Sequence, residues 1–195
     1  MSSTIKRLFT ASLLGFLSLS AHADWELNST DSSLYYVTSK AAAISEVNSF
    51  ASLSGSIDNT EAMLEIDLGS VDTAIEIRDQ RVRDILFEIQ TFPTATISIN
   101  VDSTALANMA IGVSTTANYN YNLNLHGVSR DLSADLRITK TSDNRIEIQP
   151  AQPIILGAGL FNLAEGVEAL REIAGLASIN PNVVVDFSLV YEDSM

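Results

Sequence analysis

Most of the chain alternates between apolar and polar residues with a period of two, as strands do when one face is buried and the other solvated. The clearest stretch covers 117–125, where alanine, tyrosines and leucines occupy every second position and asparagines lie between them. Asparagine is a poor strand former, so only a strong demand for the apolar face would maintain this pattern. The segment is therefore predicted to be a strand with one face turned inward.

The same alternation recurs elsewhere and predicts about eight or nine strands. They are expected at 25–30, 33–39, 46–58, 64–68, 97–101, 117–125, 132–138, 145–149 and 183–191. Most would pair with antiparallel neighbours through short turns, such as the turn predicted at 127–130. An antiparallel sheet of this size closes into a barrel or folds into a sandwich, because both arrangements avoid exposed edges.

Two segments follow a helical period instead. Residues 76–87 place apolar side chains on one side and charges on the other. Residues 162–177 carry a longer apolar stripe, and Asn162 is expected to cap this helix with Glu165 at the capping-box position. Because no linker or repeat divides the chain, one domain over 24–195 is predicted.

The first residues have the features of an export signal. Lys6 and Arg7 precede an apolar stretch over 8–20 that is too short to span a bilayer, and Ala-His-Ala at 21–23 presents the small residues that signal peptidase recognises. We therefore expect residues 1–23 to be a cleaved signal peptide and the mature protein to lack a stable membrane anchor.

Composition removes several classes of function. The formal net charge is −13 and no patch of basic residues with interleaved aromatics occurs, so the chain is not expected to bind nucleic acid. Cysteine is absent, which excludes disulfides, thiolate metal sites and a lipoprotein attachment site. An exported chain of this kind must be stabilised by its core alone.

Candidate catalytic groups are scarce. Beyond the signal segment His126 is the one histidine, whereas catalytic zinc typically uses at least two, and the Gly-x-Ser-x-Gly motif of serine hydrolases is absent. His126 is expected to lie in a turn and to form a hydrogen bond with the backbone. We therefore predict no enzyme, no metal and no cofactor.

A cluster of arginines leaves two interpretations open. Arg78, Arg81 and Arg83 concentrate positive charge in an otherwise acidic chain. They could bind a phosphate or carboxylate of a ligand, since arginine pairs with such groups bidentately. They could equally form a solvated helix face with ion pairs three or four residues apart, which is the more common arrangement.

The aromatic residues also allow two readings. Tyr119, Tyr121, Phe187 and Tyr191 are expected to point inward from strands. Inward aromatics fill a core by default, but a barrel of about eight strands is also at the size where the interior can hold one ligand. The composition leaves both readings open.

Several motifs, in order along nearly the whole chain after the signal segment, resemble the YceI-like family of bacterial lipocalin-like barrels. They are Trp25-Glu26-Leu27 with Asp31-Ser32-Ser33-Leu34, Phe50 to Asp58, Ser70-Val71-Asp72-Thr73 with Arg78-Asp79 and Phe92-Pro93, and Leu123-Asn124-Leu125-His126-Gly127-Val128-Ser129-Arg130. The family often has histidine where this chain has Arg81, so any role of that histidine lapses here. Residues 161–179 resemble a branch with an added helix near the last strand.

The resemblance implies an extended antiparallel lipocalin-like β-barrel of about eight strands with two short helices. It also implies secretion to the periplasm, a long tunnel for an isoprenoid or fatty-acid-like chain, and no catalytic residues. The leading hypothesis is a periplasmic carrier of a polyprenyl lipid, a quinone or another long-chain amphiphile. The residues expected to contact this ligand are Phe50, Phe87, Tyr119, Tyr121, Leu123, Leu125, Val185, Phe187 and Leu189.

Two alternatives and the assembly state stay open. One alternative is a stress-related periplasmic protein with a filled barrel and an acidic surface for a partner. The other is an enzyme acting on a lipid with His126 as base, which lacks an identifiable partner for the base. A homodimer is compatible with the sequence, which does not determine the number of subunits.

Overall fold

The computed structural model describes residues 25–41 and 44–193. The predicted signal peptide at 1–23 therefore lies outside the described residues. The described chain is dominated by strands, in agreement with the alternating pattern. These are β1 (Trp25–Leu27), β2 (Ser33–Lys40), β3 (Ile44–Phe50), β4 (Leu53–Asp58), β5 (Glu61–Asp67), β6 (Val71–Asp72), β7 (Thr94–Asn100), β8 (Ser114–Leu125), β9 (Val128–Ser142), β10 (Arg145–Pro150), β11 (Ile154–Gly157) and β12 (Asn182–Asp193).

Eight of these strands close into an antiparallel barrel. The order around the ring is β1-β4-β5-β7-β8-β9-β10-β12, and β1 closes it by pairing with β12. The predicted fold class, a mainly β protein with an antiparallel barrel of about eight strands and short helices, is confirmed. Closure explains how an antiparallel sheet of this length leaves few exposed edges.

A second, smaller sheet shares β12 with the barrel. Residues 189–192 of β12 pair with β10, whereas residues 184–188 pair with β2 and residues 182–185 also pair with β11. Beyond β2 this sheet continues through β3 to β6. The long last strand therefore passes from the ring into a second sheet, which extends one end of the barrel.

Two local predictions are wrong. The segment predicted as one strand at 46–58 is two strands, because Ala51 and Ser52 leave the ladder and donate their backbone N–H groups to Ser70. The predicted turn at 127–130 is tighter, since residue 128 already pairs with residue 125 in the β8–β9 hairpin.

The actual turn residues of this hairpin are His126 and Gly127, with φ of 52° and 70°. Positive φ at both central positions is the requirement of a type I′ hairpin turn. Gly127 is also held by packing, because a Cβ there would lie 2.7 Å from the Phe92 ring.

The helix predicted at 76–87 is present as α1 (Glu76–Arg81), continued by a π-helical turn (Val82–Leu86), whereas the helix predicted at 162–177 is shorter. The further helices are α2 (Ser103–Ala107) and α3 (Ala164–Ile173), with 3₁₀ turns at Leu68–Ser70 and Ala158–Phe161. Asn162 does not cap α3 as predicted. It ends the preceding 3₁₀ turn at φ of 58°, a left-handed conformation that asparagine tolerates, and Leu163 takes the N-cap position without a side-chain hydrogen bond.

One end of the barrel has a solid core, and we call it the packed end. Its centre contains Trp25, Ile57, Ile146 and Tyr191, all of them buried. Lys140 is also buried there, with its Nζ 5.6 Å from the Trp25 ring centroid and donating to the Ala107 carbonyl at 2.6 Å. The Lys140 charge is thus compensated by a carbonyl oxygen and an aromatic face.

Candidate ligand cavity

The other end of the barrel encloses a cavity of about 400 Å³, and we call it the hollow end. This volume falls within the range of about 300–1,000 Å³ that is typical of small-molecule sites. The ring strands β5, β7, β8 and β9 form one wall, and β2, β3, β11 and β12 form the other. The second sheet is therefore what gives this end its extra space.

The walls are apolar because each strand turns its apolar face inward. From the ring, the lining side chains include Ile66, Ala95, Ile97, Ile99, Tyr121, Leu123, Leu125, Ala134 and Leu136. From the second sheet they include Leu34, Tyr36, Phe50, Val183, Val185 and Phe187. An alkyl or isoprenoid chain can contact such a surface along its whole length. Few groups in the lining need hydrogen bonds that the chain cannot make.

A row of aromatic rings crosses the cavity wall. The ring centroids of Tyr36 and Phe50 are 5.5 Å apart, and those of Phe50 and Phe87 are 6.0 Å apart, both in tilted orientations. Burial raises the pKa of the Tyr36 hydroxyl far above its usual value, with a smaller opposing effect of Arg78. Tyr36 therefore stays neutral at physiological pH.

Helix α3 and the π-helical turn close one side of the cavity. Val167 and Leu170 of α3 and Leu86 of the turn line it. The two elements approach closely at Gly166, where a Cβ would lie 2.9 Å from the Ile85 carbonyl oxygen and 3.0 Å from the Leu86 Cα. Because residue 166 has no side chain, α3 can pack this closely against the π-helical turn.

The nine residues predicted to bind the ligand fall into two groups. Those whose side chains line the cavity are Phe50, Phe87, Tyr121, Leu123, Leu125, Val185 and Phe187. The structure places Tyr119 beside α2 in a separate shallow cleft, and Leu189 in the core of the packed end. Both residues share a strand face with lining residues, but the cavity ends before it reaches them.

Charged residues form a cluster at the cavity mouth that the sequence did not predict as a unit. Lys40 and Glu46 form an ion pair, and the Arg78 Nη1 donates to the same Glu46 carboxylate at 2.7 Å. The hydrogen bond from Lys40, together with the weaker effect of Arg78, lowers the pKa of Glu46. The cluster joins the β2–β3 hairpin to α1, since Glu46 and Arg78 are 32 positions apart in the sequence.

A buried carboxylate positions Arg78. Asp79, which is 7% exposed, accepts hydrogen bonds from the backbone N–H of Thr73 at 2.8 Å and from the Thr73 hydroxyl. Arg78 donates its Nη2 to the Thr73 carbonyl oxygen. Because these bonds tie β6 to the start of α1, the guanidinium is held at the rim of the cavity.

His126 lies apart from the cavity, and its predicted backbone hydrogen bond is wrong. Its Nε2 is 3.1 Å from the Glu88 carboxylate, and its ring centroid is 4.4 Å from that of Phe92. Its buried Nδ1 has no hydrogen-bond partner among the residues that the structure describes. Sequence spacing could not reveal the partner, because Glu88 is 38 positions away. The geometry joins the β8–β9 hairpin to the segment after α1.

Two further features bear on chemistry. In the described ranges no group of three or more His, Cys, Asp or Glu side chains is placed to hold a metal ion. Across those same ranges, each helix is too short or too polar to span a bilayer.

The comparisons with known proteins identify the family. The family model of the YceI-like domain matches residues 25–191. The chain belongs to the YceI-like family. This family consists of binding domains, and no curated protein matches the chain.

Solved structures support this assignment. A polyisoprenoid-binding domain from Saccharophagus degradans, implicated in plant cell wall breakdown, is 38% identical to the YceI-like chain, with a TM-score of 0.87, and the match covers 88% of this chain and 99% of that one. BcnA from Burkholderia cenocepacia is 17% identical, with 84% and 98% covered and a TM-score of 0.64. A YceI protein from Campylobacter jejuni is 16% identical, with 76% and 85% covered and a TM-score of 0.55. The last two show the fold alone.

Proposed function

We propose that this YceI-like protein is a periplasmic carrier that encloses the tail of a polyisoprenoid, a quinone or a similar long-chain amphiphile. The observation that carries the proposal is the apolar cavity of about 400 Å³ at the hollow end. The polyisoprenoid-binding domain that is 38% identical supports the choice of an isoprenoid. The residues proposed to contact the tail are Phe50, Phe87, Tyr121, Leu123, Leu125, Val185 and Phe187.

Binding would be driven by desolvation of the tail. Each CH₂ group removed from water contributes about 0.8 kcal/mol, so a long tail binds tightly with few polar contacts. Selectivity for the tail would then depend on cavity length and width. We propose no enzymatic step, because His126 pairs with Glu88 at 3.1 Å and does not line the cavity.

The direct test is to purify the protein from the periplasm of its own host, extract it with organic solvent and analyse the extract by mass spectrometry. We expect an isoprenoid in near-stoichiometric amount. Recovery of no lipid, together with failure to bind any added isoprenoid, would contradict the proposal. Sequencing the N-terminus of the same preparation tests the export signal, and we expect it to begin at Asp24.

A filled barrel that acts through a protein partner was the alternative. The cavity lining counts against it, because side chains that fill a barrel leave no space of this size. Native mass spectrometry of the periplasmic protein would distinguish the two, since a carrier retains a small-molecule adduct and a filled barrel does not.

A further inference from the structure

The polar lining of the cavity is confined to its mouth. Two tyrosine hydroxyls are the exceptions. The other described polar side chains that line the cavity come from β2, from β3, from residues 73–81 and from the loop before β12. They are Thr38, Lys40, Glu46, Asn48, Thr73, Arg78, Arg81 and Asn180. A ligand with its tail in the apolar interior would therefore place its headgroup among these side chains.

The charge of this mouth is opposite to that of the protein. Three cations line it, Lys40, Arg78 and Arg81, against one anion, Glu46, although the whole chain has a net charge of −13. Arg81 forms no ion pair with any part of the chain that the structure describes. The lining of the mouth thus carries more positive than negative charge, with one further carboxylate, Asp79, buried behind Thr73. At the entrance of an apolar cavity water screens this charge less than at an open surface.

Arg78 is held in a fixed orientation at the mouth. Its Nη1 donates to Glu46 and its Nη2 to the Thr73 carbonyl. These two bonds fix the plane of the guanidinium. Because the side chain lines the cavity and is 23% exposed, its positive charge faces a ligand that occupies the mouth.

The route to this cluster is open. Ile75 and Ile77 line the cavity beside Arg78 and are 49% and 55% exposed. Exposing apolar side chains to water is unfavourable, so the rim is stabilised when it contacts the tail of an entering amphiphile. The cluster thus lies where the entrance meets the interior, which is the position that a headgroup would occupy.

We infer that the mouth cluster of Lys40, Arg78 and Arg81 selects long-chain ligands whose headgroup is an anion, a carboxylate or a phosphate ester, over neutral ligands with the same tail. This inference rests on the proposed carrier function and adds the class of headgroup. Arg78 acts as a specificity-determining residue because its guanidinium is fixed at the mouth, where its positive charge faces the headgroup. Lys40 and Arg81 add to this charge.

Arg78 also ties α1 to β3, so the test must separate recognition from structure. Three probes share one tail and differ in headgroup: geranylgeraniol, geranylgeranoic acid and geranylgeranyl monophosphate. Binding to delipidated wild-type protein is measured by displacement of a fluorescent fatty-acid analogue at low and high salt. We expect the acid and the phosphate to bind at least about tenfold more tightly than the alcohol. Added salt should weaken only the two anions.

The Arg78→Gln variant should lose this preference. Removing this positive charge from the mouth is expected to weaken binding of the acid and the phosphate about tenfold and to leave binding of the alcohol unchanged. The matched control is Arg83→Gln in the same segment, since Arg83 pairs with Glu76 at 3.2 Å and does not line the cavity. Thermal unfolding of both variants verifies that they are folded.

Each outcome decides between the hypotheses. If the alcohol binds wild-type protein as tightly as the two anions, headgroup selection is overturned while the carrier function stands. If Arg78→Gln weakens all three probes equally, Arg78 is structural and its assigned role is overturned. If the acid alone or the phosphate alone is preferred, the selection holds and the anion is identified. If no probe binds, the carrier function itself fails and the inference fails with it.

Discussion

The packed end and the hollow end share the strands β9 and β12 and the same alternation of residues, yet one has a solid core and the other encloses a cavity. Along β9 the boundary falls between Leu136, which lines the cavity, and Ile138, which does not, and along β12 it falls between Phe187 and Leu189. At the packed end Trp25 and β10 complete the core, whereas at the hollow end the second sheet moves the wall outward. An inward-facing residue therefore packs into the core or lines the cavity depending on which structural element lies opposite it.

The largest expected effect is on the stability of the packed end. Replacing Ile57 with Ala removes a fully buried side chain and should lower the free energy of unfolding by about 3 kcal/mol. Its matched control is Ile97→Ala, because Ile97 lines the cavity and already lacks partners on one side. We expect Ile97→Ala to lower the free energy of unfolding by roughly half as much as Ile57→Ala. Urea titration of both variants measures the difference, and equal losses would contradict the contrast between the ends.

Filling the hollow end should remove binding and preserve the fold. Val185→Phe adds volume inside the cavity, and we expect it to weaken binding of an isoprenoid about tenfold or more without loss of thermal stability. Val184, the next residue on the same strand, is 38% exposed and does not line the cavity. Val184→Phe should therefore bind like wild type. Unchanged affinity in Val185→Phe would mean that the ligand lies elsewhere.

Disturbing the close packing of α3 on the π-helical turn is expected to have a smaller effect on stability and ligand binding. A methyl group at Gly166 would press on the backbone of residues 85 and 86, so Gly166→Ala should lower stability by about 1 kcal/mol and weaken ligand binding several-fold. Gly159→Ala is the control, because a Cβ there meets no atom within 4 Å. Calorimetry and the displacement assay measure both variants. Equal behaviour of the two would show that α3 does not depend on this close approach.

The smallest effect concerns acid stability at the cavity mouth. The pKa of Glu46 is lowered, chiefly by the hydrogen bond from Lys40, so its stabilising contribution is present above the usual carboxyl pKa and is lost as the pH falls through the lowered value. Between about pH 5 and about pH 3 wild type should therefore lose slightly more stability than Glu46→Gln. Lys40→Met should abolish most of this difference. Denaturant titrations across this pH range test both expectations.

Much of the fold could be predicted from local sequence. The alternation at 117–125 survives as β8, and the apolar faces of β5, β7 and β12 lie where the pattern places them. Short elements were missed, among them β6, β11 and α2, because two to five residues are too few to establish a period. The capping role predicted for Asn162 was wrong because a preceding 3₁₀ turn requires the left-handed conformation at that position.

The candidate site was predictable only in part. Phe187 and Tyr121 were expected to face inward, and they line the cavity. The mouth cluster was not foreseen, because Lys40 and Glu46 meet Arg78 through strand pairing between β2 and β3 and through the β6–α1 connection. The sequence leaves two interpretations of the arginines open, and only the position of Arg78 at the cavity mouth favours one of them.

The sequence by itself determined which faces are apolar, because a period of two assigns each side chain to one side of a strand whatever lies opposite. It also determined the acidic surface and the absence of thiol chemistry. Tertiary structure alone decided where the interior has a cavity, since that depends on how β12 passes from the ring to the second sheet. It likewise decided that three cations meet at the cavity mouth, because long-range pairing brings together residues that no local pattern connects.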